Sequence, residues 1–388
     1  MSPELEILAI AIVTAVAAAL PGALLVLRRM ALVSDAISHA ILPGIVIAFF
    51  LTHDLSSPLL VVAAAATGVV TVALIEAINR SRLVPEDAAI GLVFPSLFAL
   101  GVILISRYAG DVHLDTDAVL LGELAFAPFD RLIVGGVDLG PVALWSMGGI
   151  LLINLVFIVT WFKELKLATV DAGLAAVLGF SPALIHYGLM SIVSVTAVGA
   201  FSAVGSILVV ALMIAPPATA YLMVERFGPM LWTSAAVAAA GAALGSVFAF
   251  ALDVSIAGSM ATASGVLFAA ALLAAPRRGI VAQVRRRAVQ RLEFGTRMLL
   301  VHLLHHENTP AAPQECHPAT LHRHLRWTEG HTRQVMRHAT AHGFADMSGE
   351  LLELTESGRD LAQFAVVGDS TVFGSEGLGS RAARPTKS

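Results

Sequence analysis

The sequence predicts an all-α polytopic membrane protein of about eight to nine transmembrane helices, followed by a small α+β domain at its C-terminal end. Three observations carry this. Of 388 residues, 57% are hydrophobic and only 13% are charged, and the mean hydropathy is +0.82, which excludes an ordinary water-soluble domain. Nine apolar runs approach the roughly 20 residues that a helix needs to cross a bilayer: 5–27, 31–51, 58–79, 88–106, 141–162, 183–200, 202–224, 229–252 and 258–275. Charge is divided between two parts: residues 1–276 carry a net −8 and residues 277–388 a net +4, and nine of the thirteen histidines fall between 302 and 342. Two regions with different solvents follow, meeting near Pro276.

In chain order, the N-terminus Met1-Ser-Pro-Glu-Leu-Glu carries acids where a signal peptide would carry positive charge, so the first run is expected to be a retained span. Basic residues then mark alternate ends of the runs: Arg28-Arg29, Arg80 and Arg82, Lys163 and Lys166, Arg226, and Arg277-Arg278. Those ends are expected to face the cytoplasm. The opposite ends carry His53, Asp54, Asp111, Asp115, Asp117, Asp130, Asp138 and Asp253, with Arg107 and Arg131 as their basic residues. Nine crossings put the N-terminus outside and the basic C-terminal part inside. The stretch 183–224 is a single long apolar run broken by Gly199, Gly205 and Pro216-Pro217. Broken or re-entrant helices fit it, provided protein or a cavity covers the freed backbone. Small-residue tracts at Ala63–Ala66 and Ala235–Gly245 let helices approach closely. After the membrane domain (1–276) come a basic linker helix (277–291), suited to anionic lipid, an α+β domain (292–366) and a tail (367–388) whose Gly, Ser and Arg content predicts disorder.

The candidate chemistry starts at residues 28–44. Asp35 and His39 are four apart, which on a helix puts both on one face about 6 Å from each other. Pro43 cannot donate to the His39 carbonyl. Ionisable residues inside a span are costly and default to a functional role. If the span starts near Met30, Asp35 lies roughly 8 Å and His39 roughly 14 Å along it. A carboxylate, an imidazole and a bare carbonyl suit a divalent cation; the same spacing also suits a structural Asp–His pair that satisfies itself between helices. Glu76 is the other acid well inside a run, near its cytoplasmic end, with a pathway role or a snorkelling one open to it. No Gly-x4-Gly-Lys-Ser/Thr and no His-Glu-x-x-His sequence occurs, which removes the P-loop ATPase and zincin protease classes.

Residues 28–44, Arg-Arg-Met-Ala-Leu-Val-Ser-Asp-Ala-Ile-Ser-His-Ala-Ile-Leu-Pro-Gly, resemble the signature of the ABC-3 family of metal-ion permeases, the membrane subunits of bacterial manganese, zinc and iron uptake ABC transporters. Gly91-Leu-Val-Phe-Pro-Ser-Leu-Phe-Ala-Leu-Gly, Val112–Glu123 and the late stretch Val204–Ala220 resemble further blocks of that family, in order, across about 5–275. The resemblance implies an ABC importer permease fold and a homodimer forming the translocation pathway. It implies two partners, a separate cytoplasmic ATPase subunit that hydrolyses ATP and an extracytoplasmic solute-binding protein. Asp35 and His39 are then the ion-contacting pair. The match is specific for the family and not for the metal. A carboxylate and an imidazole without thiolate in the membrane part lead to the expectation of Mn²⁺ by preference, with Zn²⁺ or Fe²⁺ as alternatives, and no permanently bound cofactor is expected. Two stretches suit the ATPase contact. One is the Ala/Gly-rich segment from Asp171. The other, preferred by analogy with related importers, opens with Pro216 and Pro217, which suit a helix start, and includes Thr219, Tyr221, Glu225 and Arg226.

Residues of about 290–365 resemble a winged-helix module of the metalloregulator type, with Leu354-Thr-Glu-Ser-Gly-Arg-Asp-Leu-Ala at its wing-to-helix passage and 332–344 in the recognition-helix position. Arg333, Arg337 and His338 would face phosphates in a DNA-binding version, but nucleic acid is disfavoured for a domain held at a membrane, and docking or regulation is the better expectation. His302, His305, His306, Cys316, His317, His322, His324, His338 and His342 form a candidate regulatory metal set, since clustered imidazole and thiolate bind Zn²⁺ and related ions. A solvated histidine-rich surface accounts for the same composition. The competing functional class is a membrane-tethered, metal-responsive regulator acting through this domain; nine spans and a buried acid are more than a tether requires.

Overall fold

Helix boundaries in the membrane part follow the prolines and small polar residues of the chain. The computed structural model describes residues 2–53, 57–108, 124–134 and 136–367. Asp54, Asp111, Asp115, Asp117, the Val112–Glu123 block and the tail beyond 367 lie outside the described residues. The chain divides into two compact units, Met1–Ile280 and Val281–Ser388.

The first unit opens with α1 (Pro3–Leu27), then α2 (Ala31–Ala40) and α3 (Leu42–Thr52), which meet at Ile41. Pro43 lies in the first turn of α3, so the interruption falls where the missing N–H requires it. Next are α4 (Pro58–Arg80) and α5 (Glu86–Tyr108). A hairpin of β1 (Arg131–Val134) and β2 (Val137–Pro141) pairs antiparallel. Then come α6 (Val142–Thr160), the short α7 (Phe162–Val170) and α8 (Ala172–Val177), and α9 (Pro182–Val204), α10 (Ser206–Met223), α11 (Phe227–Leu252) and α12 (Ile256–Ala274). Ser57 and Ser181 accept hydrogen bonds from the Leu59 and Leu184 amides at the starts of α4 and α9, each followed by a proline, an arrangement that fixes a helix start.

Nine helical segments among the described residues are long and apolar enough to cross a membrane, counting Ala31–Thr52 as one. The expected orientation is consistent with the polar contacts between loops. Arg131 reaches the buried Glu6 at 3.0 Å, joining the hairpin to the start of α1. Arg28 donates to Thr169 at 3.2 Å, joining the end of α1 to α7. Arg277 pairs with Glu225 at 2.8 Å and Arg278 donates to the Tyr221 carbonyl at 2.9 Å. Each contact joins segments that the alternating charges place on the same side.

The core centres on α1, which is buried along most of its length and packs against α6, α9, α10 and α11, while α2 packs among α4, α5, α9 and α10. Close approach depends on small residues. A Cβ on Gly22 would sit 2.2 Å from the Met213 carbonyl oxygen of α10, and one on Gly68 would sit 2.0 Å from Ser194 Oγ of α9. Asn154 of α6 is fully enclosed, donating to the Ala17 carbonyl and to Thr196 Oγ1, both at 2.9 Å, which ties α6, α1 and α9 together.

The stretch 183–224 is resolved as two helices broken at Gly205, whose φ of 83° and ψ of 160° suit glycine alone. One expectation is corrected here. Pro216 and Pro217 do not start a helix; they lie buried inside α10, which runs on to Met223. α10 packs against α1, α11 and α12, and Leu212 and Met213, whose carbonyls the prolines leave free, are buried, so protein covers the break.

The second unit contains α13 (Ile280–His306), α14 (Ala312–Glu315), α15 (Leu321–His324), α16 (Glu329–Ala341), a hairpin of β3 (Ala345–Ser348) and β4 (Leu351–Leu354), and α17 (Glu356–Val367). The expected linker helix and the first helix of the domain are a single helix, α13. Leu299, Leu300, Leu303, Leu321, Val335, Leu352 and Leu354 form a core separate from that of the first unit.

Candidate functional site

The chain reversal at Arg29, which has a left-handed φ of 61°, starts α2 after α1, and α2 carries both candidate ligands. His39 Nε2 lies 3.5 Å from Asp35 Oδ1, one helical turn apart. Ser34 and Ser38 turn their hydroxyls onto the helix's own carbonyls, at 2.8 and 2.9 Å, so they are occupied by backbone. The His39 ring faces Phe94 of α5 with centroids 6.0 Å apart. The neighbours Val33, Ala36, Ile37 and Ala40 are buried, but the His39 and Asp35 side chains remain 38% and 42% exposed in the single chain. The pair, with the exposed Leu32 one turn before it, therefore lies on the open side of a helix whose other side is packed. One carboxylate and one imidazole provide part of a divalent ion's shell, and the exposed edge leaves room for the remaining donors.

Glu76 stands among partners of its own. Arg80 Nη2 donates to its Oε1 at 2.7 Å and Tyr187 Oη to its Oε2 at 2.7 Å, with His186 Nε2 at 3.9 Å. This network joins the end of α4 to the start of α9. Asp171 caps α8, accepting from the Leu174 amide at 2.9 Å, and around it Val170, Leu174, Val177, Leu178 and Phe180 are exposed. Of the alternative segment, Thr219 is buried and donates to the Ala215 carbonyl at 2.8 Å, Tyr221 is exposed under the Arg278 guanidinium, Glu225 pairs with Arg277, and Arg226 precedes α11.

The structure sorts the histidine set of the second unit. His302 and His306 on α13 and Glu315 on α14 place ligand atoms within 4.8 Å of one another, and His324 joins them through Glu315 at 2.8 Å. Burial pushes the His302 imidazole below its ordinary value, which favours the neutral form that binds metal. His305 points to solvent. Cys316 is not brought to this group: it packs in the apolar core, where burial raises its thiol. His317 accepts from the Ala319 amide at 3.1 Å. His322 of α15 is half-buried and, among the described residues, is not joined to this group. The His338 and His342 rings meet elsewhere in a tilted arrangement with centroids 4.2 Å apart, and His338 Nδ1 lies 3.1 Å from Thr296 Oγ1. The sequence reading missed Glu315, which stands beside the Cys316-His317 pair that drew attention. It also missed Asn154, whose signal was available as an amide inside an apolar run.

Residues 5–275 match the ABC 3 transport family. The chain belongs to that family. It is 45% identical to the zinc transport system membrane protein TroD of Treponema pallidum over 359 residues, 92% of this chain and 98% of TroD. It is also 45% identical to the manganese transport system membrane protein MntD of Bacillus subtilis over 286 residues, 74% of this chain and 97% of MntD. The 359-residue alignment is longer than the first unit and so extends into the second. Among solved structures, PsaBC from Streptococcus pneumoniae in complex with Fab matches with a TM-score of 0.60 and 29% identity, over 72% of this chain and 94% of that one. The match covers the spans and the Asp35–His39 helix, so the permease reading stands and the tethered-regulator reading has no support.

Proposed function

We propose that this ABC-family permease carries a divalent transition-metal ion across the bacterial plasma membrane, Mn²⁺ by preference and otherwise Zn²⁺ or Fe²⁺, along a pathway lined by Asp35 and His39. The observation that carries this is the carboxylate–imidazole pair on α2, 3.5 Å apart within a membrane span and partly open on one side. Relatives are named for zinc, manganese and chelated iron transport, and a harder oxygen–nitrogen donor pair without thiolate favours Mn²⁺ among these. The open edge of α2 is where a second copy of the chain, or water, completes the shell, which supports a homodimer.

ATP hydrolysis falls to a separate cytoplasmic subunit, and an external solute-binding protein delivers the ion. For the ATPase contact we infer α7–α8 in place of the Pro216–Arg226 segment, and the exposure of the two supports this. The first offers exposed apolar side chains on a short capped helix, whereas the prolines and Thr219 of the second are enclosed in the bundle. Glu76 holds α4 to α9 and thereby supports the helices beside the pathway.

Reconstitution tests the proposal. Proteoliposomes holding the permease and its ATPase, with the metal-loaded solute-binding protein on the external side and ATP on the ATPase side, should take up Mn²⁺ only when ATP is present, with excess Zn²⁺ or Fe²⁺ competing. Uptake that is independent of the ATPase, or confined to monovalent ions, contradicts it.

A further inference from the structure

The second unit has a metal-binding arrangement that the transport pathway does not use. His302 and His306 are four residues apart on the last turns of α13, with ring centroids 4.7 Å apart. The chain then turns back through α14 and sets Glu315 against them, with His302 Nε2 3.6 Å from its carboxylate and 3.1 Å from its backbone oxygen. His324 of α15 lies 2.8 Å from the same carboxylate oxygen and stacks on His302 at 6.3 Å. All three of His302, His306 and Glu315 are partly buried. No hydrogen bond to the His306 imidazole is found among the described residues. The other nearby acid, Glu307, is taken by Arg359, which leaves Glu315 as the carboxylate of the group.

We propose that His302, His306 and Glu315 bind a divalent transition-metal ion of the Zn²⁺ type, with His324 orienting the carboxylate. Two imidazoles and one carboxylate form a ligand set used by zinc and related ions, with a position left for water. A hydrogen-bonded partner behind a ligating carboxylate is the usual supporting contact in such sites. The bound ion ties the end of α13 to α14 and α15, three segments otherwise joined by short turns. The site is independent of Asp35 and His39, and its ligands come from within one unit.

The test uses the full chain in detergent, so that no part is assumed to fold alone, and Zn²⁺ or Co²⁺ alone as the probe. Bound metal per chain is counted by equilibrium dialysis for the unsubstituted protein, for Asp35→Ala/His39→Ala, for His302→Ala/His306→Ala and for Glu315→Gln. The pathway double variant should keep one equivalent of Zn²⁺ in this site and show the visible absorption of nitrogen- and oxygen-ligated Co²⁺. Adding His302→Ala/His306→Ala, or the near-isosteric Glu315→Gln, should remove that equivalent and the spectrum, while His338→Ala/His342→Ala should leave both. Full metal content in both the histidine and the Glu315→Gln variants overturns the site, as does loss of the same equivalent in His338→Ala/His342→Ala. Failure of the transport reading, seen as undiminished uptake by Asp35→Ala/His39→Ala, leaves these counts unaffected.

Discussion

Single side chains in this protein act mainly by occupying positions where an unsatisfied group is costly. Asn154 is the plainest case: its amide serves a carbonyl of α1 and a hydroxyl of α9 in a place that water does not reach. Asn154→Ala leaves the Ala17 carbonyl and Thr196 without that partner, and interhelical bonds of this kind contribute about 1–2 kcal/mol at most. A lower thermal unfolding midpoint of the detergent-solubilised chain is the expected result, and an unchanged midpoint would show that the bond contributes nothing. Asp35 and His39 differ from Asn154 in being left partly open, as residues that await further ligands would be. Their proximity could be derived from spacing of four on a helix. Glu315 could not be found that way, because nothing in its local sequence says that α14 folds back on α13.

At the scale of elements, close packing and helix breaks decide what each segment can do. Gly22 meets the Met213 carbonyl oxygen so closely that any side chain must displace α10. Gly22→Val should therefore cost roughly 3 kcal/mol or more by overpacking. Gly148→Ala, inside α6 where a Cβ meets nothing within 4 Å, should leave the unfolding midpoint unchanged or slightly raised, since alanine is the better helix former; equal losses in the two variants would contradict this packing. The exposed apolar face of α8 leads to a second expectation. Leu174→Glu/Val177→Glu should stop co-purification with the ATPase subunit while the chain still inserts, whereas retained co-purification would return the contact to the Pro216–Arg226 segment. Spans and their alternating ends were legible because length, hydropathy and arginine placement are local quantities. The course of 183–224 was only partly so. Gly205 was visible as a break, but Pro216-Pro217 read as a helix start, since tolerance of proline inside a membrane helix depends on neighbours that the sequence does not list. For the same reason Cys316 read as a ligand, although the fold turns it into the core.

At the scale of the whole molecule, two units with separate cores share one chain. The alignment with MntD takes 97% of that relative and 74% of this chain, so a permease can exist without most of the second unit. A chain ended after Ile280 should accordingly insert and unfold with the membrane unit's own midpoint; failure to insert would show that the first unit depends on the second. The central claim concerns the α2 pair, and transport by the assembled complex tests it most directly. Asp35→Ala and His39→Ala should each abolish ATP-driven Mn²⁺ uptake into proteoliposomes, with insertion and ATPase association intact. Normal uptake by both variants would contradict the account.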